Sequence, residues 1–344
     1  FAEPDHRIGN VLFSPDGSKI MTSGSRIQIW NASATRLMST TQVPPQLSSG
    51  EVFSQDGSRL VGHCRKSQAC VFDTSNGHLV LALERGDGLA LALSPDGSSV
   101  ALSGPAAPVL VYDVSTAEVT GSFGEDEGRP YNMLFSPDGR QLFANLGGVV
   151  RYWDLDSGRV IARLEGVGPD FSPDGLLGAT RRDDSLYLNR REDGRLLQEL
   201  SIGGGIIEAL AFSPDSTLLA AGSTDGVITL WDLVSAEKRL FPGSRDGRVR
   251  LLRFSADGRT LVTVTDNAIH AYSTADGTEL QMFYNNFGLV NAAIAPHGAS
   301  VVGFDTLGRA LFYSFRLQPL LEIARKRLPA TGTVRQAGRE QGGL

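Results

Sequence analysis

The chain has 344 residues, a net charge of −6, 40 glycines and two cysteines, with 20% of its residues charged. That length exceeds the size at which one hydrophobic core stays undivided, and the acidic balance argues against general affinity for nucleic acid. The lack of any run of about 18 apolar residues excludes a membrane-spanning helix.

In chain order, the sequence opens at Phe1 rather than Met, and Phe1 aligns with Phe283 in the last strand of a later repeat. The chain therefore reads as starting inside a strand, with something upstream removed or held elsewhere. One phrase then recurs to the end. Phe13-Ser14-Pro15-Asp16-Gly17 returns with its serine at Ser54, Ser94, Ser136, Ser172, Ser213 and Ser255 and, as alanine, at Ala295, at intervals of 40, 40, 42, 36, 41, 42 and 40 residues. This is the period of a four-stranded blade and too long for leucine-rich or ankyrin units. The phrase ends a strand in Phe and builds a turn in which Pro presets φ and Gly tolerates φ > 0.

A second landmark follows 16 to 18 residues after each serine position: Trp30, Phe72, Tyr112, Trp153, Trp231, Tyr272 and Tyr313 close apolar strands, with Asn189 in that place in the fifth unit. Between the landmarks lie two apolar runs, as at 218–222 and 227–230, parted by the hairpin signal Ser223-Thr224-Asp225-Gly226. After the second landmark another turn, such as Asp156-Ser157-Gly158, leads into a more polar strand. Each unit thus reads as strands a, b, c and d.

The unit from Leu210 to Leu233, with Phe212-Ser213-Pro214-Asp215, the Asp225-Gly226 hairpin and Trp231-Asp232-Leu233, resembles a WD repeat, and degenerate copies cover about residues 8 to 316. The resemblance implies an all-β, eight-bladed β-propeller of four-stranded antiparallel blades. Most repeats of that family carry a Gly-His pair before strand a, whose His joins a network with a strand-b Ser or Thr, a hairpin Asp and the strand-c Trp. None of the five histidines lies there; the sixth unit has Gly203-Gly204-Gly205 instead, leaving Ser223, Asp225 and Trp231 as a partial network. Propellers of TolB-like proteins and of prolyl-oligopeptidase-type peptidases share the Ser-Pro-Asp-Gly turn but usually lack the Asp-Gly hairpin before Trp-Asp-Leu.

Unit five is short by about five residues, with Val167-Gly168-Pro169-Asp170 replacing a longer lead-in; this predicts a weakened wall beside the channel and a pocket there, or simple degeneration of one repeat. Cys64 and Cys70 flank a hairpin in unit two. A bond between them is geometrically conceivable, but two cysteines give no disulfide framework, so free thiols in a reducing compartment are the expectation. With His63 or His78 they do not make a zinc spacing. After the last repeat, Leu317, Leu320, Leu321, Ala324 and Leu328 fall at helical spacing, Pro319 suits a first turn and Pro329 stops it, predicting a short amphipathic helix and, to Leu344, a polar tail. The domains are therefore 1–316, the propeller, and 317–344, the helix and tail. The tail resembles the segment that closes WD-repeat regions in large bacterial multidomain signalling proteins.

The sequence has no nucleophile elbow, zinc-protease motif, phosphate-cradling loop or dinucleotide fingerprint, and no cofactor is expected. The repeated Asp and Trp residues read as fold markers. The irregular residues say more. The resemblance places d–a loops and b–c hairpins on one face of the ring, and there it gathers Arg65, Lys66, Glu125, Arg129, Asp170, Arg181, Arg182, Asp183, Asp184, Arg245, Arg248 and Phe287 as candidates for partner binding, a polar rim with an aromatic anchor. The reading is a non-catalytic protein-interaction, sensing or scaffold module of a larger cytoplasmic bacterial protein, binding protein partners or other domains and neither nucleic acid nor membrane. The alternative is a lactonase- or quinoprotein-type enzyme with a metal or cofactor in the channel, against which the lack of a channel-directed His cluster counts.

Overall fold

The computed structural model describes residues 10–24, 26–32, 37–40, 51–65, 68–84, 90–104, 108–124, 130, 132–241, 247–284, 291–296, 298, 300–304 and 310–315. These hold 31 strands in eight antiparallel sheets, seven of four strands and one of three. Within each sheet consecutive strands pair, so every blade is a meander. Blade 6 illustrates it, with strand a at Ile207–Phe212, b at Leu218–Ser223, c at Ile228–Asp232 and d at Lys238–Leu240. Blade 8 is described as Asn291–Ile294, Ser300–Phe304 and Ala310–Ser314. The helix expected at 317–328 and the tail to Leu344 lie outside the described residues, as does the segment around Phe1.

The eight copies of the phrase fold as eight blades, and no single core lies at their centre. Eight separate apolar clusters each join two successive blades. Met21 and Ile29 of blade 1 meet Leu60 and Phe72 of blade 2, and Leu219 and Trp231 of blade 6 meet Leu186 and Leu188 of blade 5. Val11 and Ile20 of blade 1 pack on Ala293 and Val302 of blade 8, which closes the ring. Strands read as near-continuous apolar runs because both faces of a blade are covered.

The repeated turn works through its serine. Ser213 is fully buried; its hydroxyl donates to Asp215 Oδ1 at 2.6 Å and accepts the Leu218 N–H at 2.8 Å. The same pair of bonds recurs at Ser14, Ser54, Ser94, Ser136, Ser172 and Ser255. Glycine supplies the left-handed residue, as Gly97 at φ +70° does, and Ser216 takes that conformation at φ +62° where blade 6 lacks the glycine.

Blade 5 departs from the rest. Strand d of blade 4 (Val160–Glu165) is joined to strand a of blade 5 (Val167–Phe171) by Gly166 alone, at φ +101°, where a Cβ would lie 2.7 Å from the Arg181 carbonyl oxygen. The shortening thus falls in the d–a connection and not in strand a, which has five residues, and the space beside that strand is not left as a gap. Phe143 and Tyr152 of blade 4 are completely buried and meet Phe171 of blade 5, with ring centroids 3.9 Å apart for Phe143–Tyr152 and 4.3 Å for Phe143–Phe171. The Tyr152 hydroxyl occupies the room that Gly178 leaves, 2.8 Å from where a Cβ would be, and burial pushes its pKa up. Asn189, in the aromatic's place, is buried beside Gly178 in the ladder and turns its amide onto the Tyr187 carbonyl at 3.0 Å. Arg191 reaches back to blade 4, pairing with Asp138 at 2.9 Å and with Gln141 at 3.1 Å.

The cysteines correct the sequence expectation: Cys64 and Cys70 are bonded, with Cα atoms 5.8 Å apart. The cause is local. Strand b of blade 2 (Arg59–Arg65) has a bulge between His63 and Arg65, which takes Cys64 out of register and turns it toward Cys70 on strand c. Both sulfurs lie in the cluster between blades 1 and 2, and the pairing removes one ground for expecting a reducing compartment.

Candidate functional site

Meander topology sends the a–b and c–d turns to one end of each blade and the b–c hairpins and d–a connections to the other. Hydrogen bonds join the second set into a surface. The Ile207 N–H, at the start of blade 6, donates to the Asp183 carbonyl in the blade 5 hairpin at 2.8 Å, and the Ile202 N–H donates to the Asp184 carbonyl at 2.9 Å.

Of the candidate residues, Arg181 and Arg182 end strand b of blade 5 (Leu177–Arg182), and Asp183 and Asp184 form the two-residue turn into strand c (Ser185–Arg190). Asp183 takes φ +53°, the left-handed conformation such a turn needs and that Asp tolerates. Arg182 pairs with Glu165 at 2.5 Å, Arg181 Nη1 donates to the Gly168 carbonyl at 3.4 Å, and Asp184 accepts from the Ser201 hydroxyl at 3.0 Å. Arg248, just before strand a of blade 7 (Val249–Phe254), lies 3.3 Å from Glu208 of blade 6 and 3.5 Å from Asp266, which also holds Arg250 at 2.5 Å. The field of Glu208, then that of Asp266, raises the Arg248 pKa. Burial opposes ionisation of Asp266, but the hydrogen bond and charge of Arg250, with Arg248, more than offset it and leave its pKa lowered.

These groups form one strip across blades 5 to 7. Glu208 sits beside Ile207, which is bonded to the Arg181–Asp184 hairpin, and it carries the strip on to Arg248. The sequence reading missed Glu208, Arg250 and Glu165, and for the first two the reason is physical. Strands a of blades 6 and 7 have register shifts at Ile207/Ala209 and Val249/Leu251, so Glu208 and Arg250 are the extra residues of bulges. A bulge re-aims its extra side chain, and an alternating pattern does not reveal it.

Asp170 is not a loop residue. It lies in strand a of blade 5, half-buried, its Oδ1 accepting the Phe171 N–H at 2.9 Å; burial pushes its carboxyl up, with the fields of Arg253 and Arg181 acting the other way. Arg65 is described in its backbone alone, at the end of strand b of blade 2. Lys66, Glu125, Arg129, Arg245 and Phe287 lie outside the described residues.

The family's histidine network is replaced in blade 6. Gly205, at φ +65°, leaves room for the Asp225 carboxylate, which a Cβ there would displace, and the Ser223 hydroxyl donates to Oδ1 of that carboxylate. Among the described residues no three His, Cys, Asp or Glu side chains are grouped to hold a metal ion, and no helix is long and apolar enough to cross a membrane.

The eight radial meanders define the class, a β-propeller. One repeat carries a family match: residues 194–232, strand d of blade 5 with strands a to c of blade 6, match the WD domain, G-beta repeat family. Meiotic recombination protein rec14 of Schizosaccharomyces pombe is 31% identical over 157 residues, 43% of this chain and 52% of that protein. Actin-interacting protein 1 of Drosophila melanogaster is 27% identical over 46% of this chain and 28% of its own length. Telomerase Cajal body protein 1 of Bos taurus is 27% identical over 71% of this chain and 45% of its own. The chain thus spans about half or less of these relatives, and their eukaryotic sources lend no support to a bacterial origin. The C-terminal WD40 domain of Sif2 superposes with a TM-score of 0.74 at 13% identity, covering 90% of this chain and 96% of that one, a likeness of fold.

Proposed function

We propose that the chain is a non-catalytic interaction module that binds a protein partner through the b–c and d–a face over blades 5 to 7. The observation that carries this reading is the ionic strip from Arg182 to Arg250, held up by bulges on two successive inner strands. Exposed ion pairs contribute about 0 to 1 kcal/mol to folding, so stability alone gives little reason to build such a strip. Mixed charge on a fixed loop surface instead gives a partner orientation and specificity. A relative named for interacting with actin is consistent with a propeller used for protein recognition.

The test compares two charge-reversed forms by affinity purification with quantitative mass spectrometry and cross-linking. R181E/R182E/R248E alters the strip; E118K/E237K alters exposed residues at the c–d turns of the opposite face. Partners retained by the second form and lost by the first, with cross-links on blades 5 to 7, are the expected result. Equal retention or equal loss in the two forms overturns the assignment.

A further inference from the structure

The channel carries a second polar feature, away from the strip. In each innermost strand the residue two before the turn serine occupies one repeated position. In six blades it is Leu, Val or Ala, as at Leu12 and Ala293, but blade 5 has Asp170 and blade 7 has Arg253. Arg253 borders a cavity of about 400 Å³ near the a–b turns, between blades 7, 8 and 1, whose walls include Leu12, Phe13, Leu251 and Ile294. Gln55, which stands where most of the repeated turns carry proline, adds an amide to the same lining.

Arg253 is an unusual wall residue. Among the described residues its guanidinium makes no hydrogen bond and no ion pair, and Asp170 acts on it only through space. Its side chain is exposed, yet the protein around it disfavours the charged form and lowers its pKa. A planar cation without a contacting anion, at the edge of a cavity of ligand size whose walls are part polar and part apolar, fits a carboxylate, which a guanidinium grips with two parallel hydrogen bonds. The apolar walls fit a hydrocarbon body behind that carboxylate. Asp170 sets the charge: its field opposes a second negative group.

We propose that this cavity is a binding site for a small organic monocarboxylate, with Arg253 holding the carboxylate, Gln55 assisting, and the walls of blades 1, 7 and 8 enclosing an aliphatic or aromatic body. The site is independent of the partner-binding face.

Isothermal titration of the intact chain with hexanoate and benzoate, and with hexanamide and adipate as uncharged and dianionic controls, tests it. Saturable binding of either acid is expected, weakened roughly tenfold to a hundredfold for hexanamide and for R253Q, partly kept by R253K, and weaker for adipate. D170N should narrow the gap between adipate and hexanoate. Where R253Q proves unfolded by circular dichroism, A292L decides, since it narrows the cavity and leaves the arginine in place; loss of binding supports the site. No saturable binding up to about 10 mM, equal affinity for hexanoate and hexanamide, or unchanged affinity in a folded R253Q or A292L overturns it.

Discussion

The two ends of the ring follow different rules. At the a–b and c–d end the repeated serine and aspartate are bonded inside their own turns, and links between blades, such as Arg191 to Asp138, are added to that repeated pattern. The a–b contacts there do not vary: each turn serine hydroxyl meets the aspartate two residues on, and the geometry repeats from blade to blade. At the b–c and d–a end the polar groups reach across blades, Asp183 to Ile207 and Glu208 to Arg248, through contacts that the repeat does not copy. The difference teaches how to separate structure from recognition in a repeat protein. Repetition marks residues that fold the unit, and departures mark what the assembled ring presents.

The sharpest break in this comparison is blade 5, where irregularity reaches the core. Phe143→Ala should cost about 3 to 5 kcal/mol, because the aromatic packing there replaces the missing landmark; urea denaturation measures it, and a loss under about 1 kcal/mol would show that the blade is held otherwise. Gly166→Ala should cost roughly 1 to 3 kcal/mol of backbone strain, with its Cβ against Arg181 adding to that, whereas Gly158→Ala, also at positive φ but with open space around it, should cost less. At the repeated end, Ser213→Ala leaves the Leu218 N–H without its hydroxyl partner and should cost about 1 to 3 kcal/mol. Similar values at Ser54 and Ser172 would confirm that the turns are equivalent.

The repeated turn carboxylates also set a response to acid. Asp96, Asp215 and Asp257 have pKa values lowered chiefly by the serine hydroxyl, and Asp113 by Ser115. A carboxyl with a depressed folded pKa contributes stability that is present above its unfolded value, about 3.9, and is lost as pH falls through the folded value. The melting temperature should therefore hold from neutral pH to about 5 and fall below about 4. Asp170, whose pKa is raised, has the opposite sign. The smallest stability effect belongs to R181E/R182E/R248E, within about 1 kcal/mol, despite its expected loss of partner binding; a large destabilisation would make the strip part of the fold.

What was legible in the sequence follows the same division. Local turn chemistry wrote the blade count, the strand order and the a–b turns directly into the residues. The Arg181–Asp184 hairpin was legible too, because a charged pair of Asp residues at a two-residue turn needs no partner to be recognised. Glu208 and Arg250 were hidden because a bulge depends on pairing with the neighbouring strand. The bonding of Cys64 to Cys70 was hidden likewise, since the ladder places Cys70 opposite Gly62. The filling of blade 5 depended on contacts with the preceding blade, and a spacing of 36 residues between serines says only that something is missing.

The eight apolar clusters give the ring the character of a closed one-dimensional lattice with periodic boundaries. Every blade owns half of two clusters and the whole of none, so no blade can loosen without weakening both neighbours. Opening the ring at one interface sacrifices one cluster and creates two new ends, after which loss can proceed from either side. Amide exchange in the inner strands should accordingly report cooperative opening that spreads around the circumference, beginning at the weakest junction, rather than protection that grades outward from a centre.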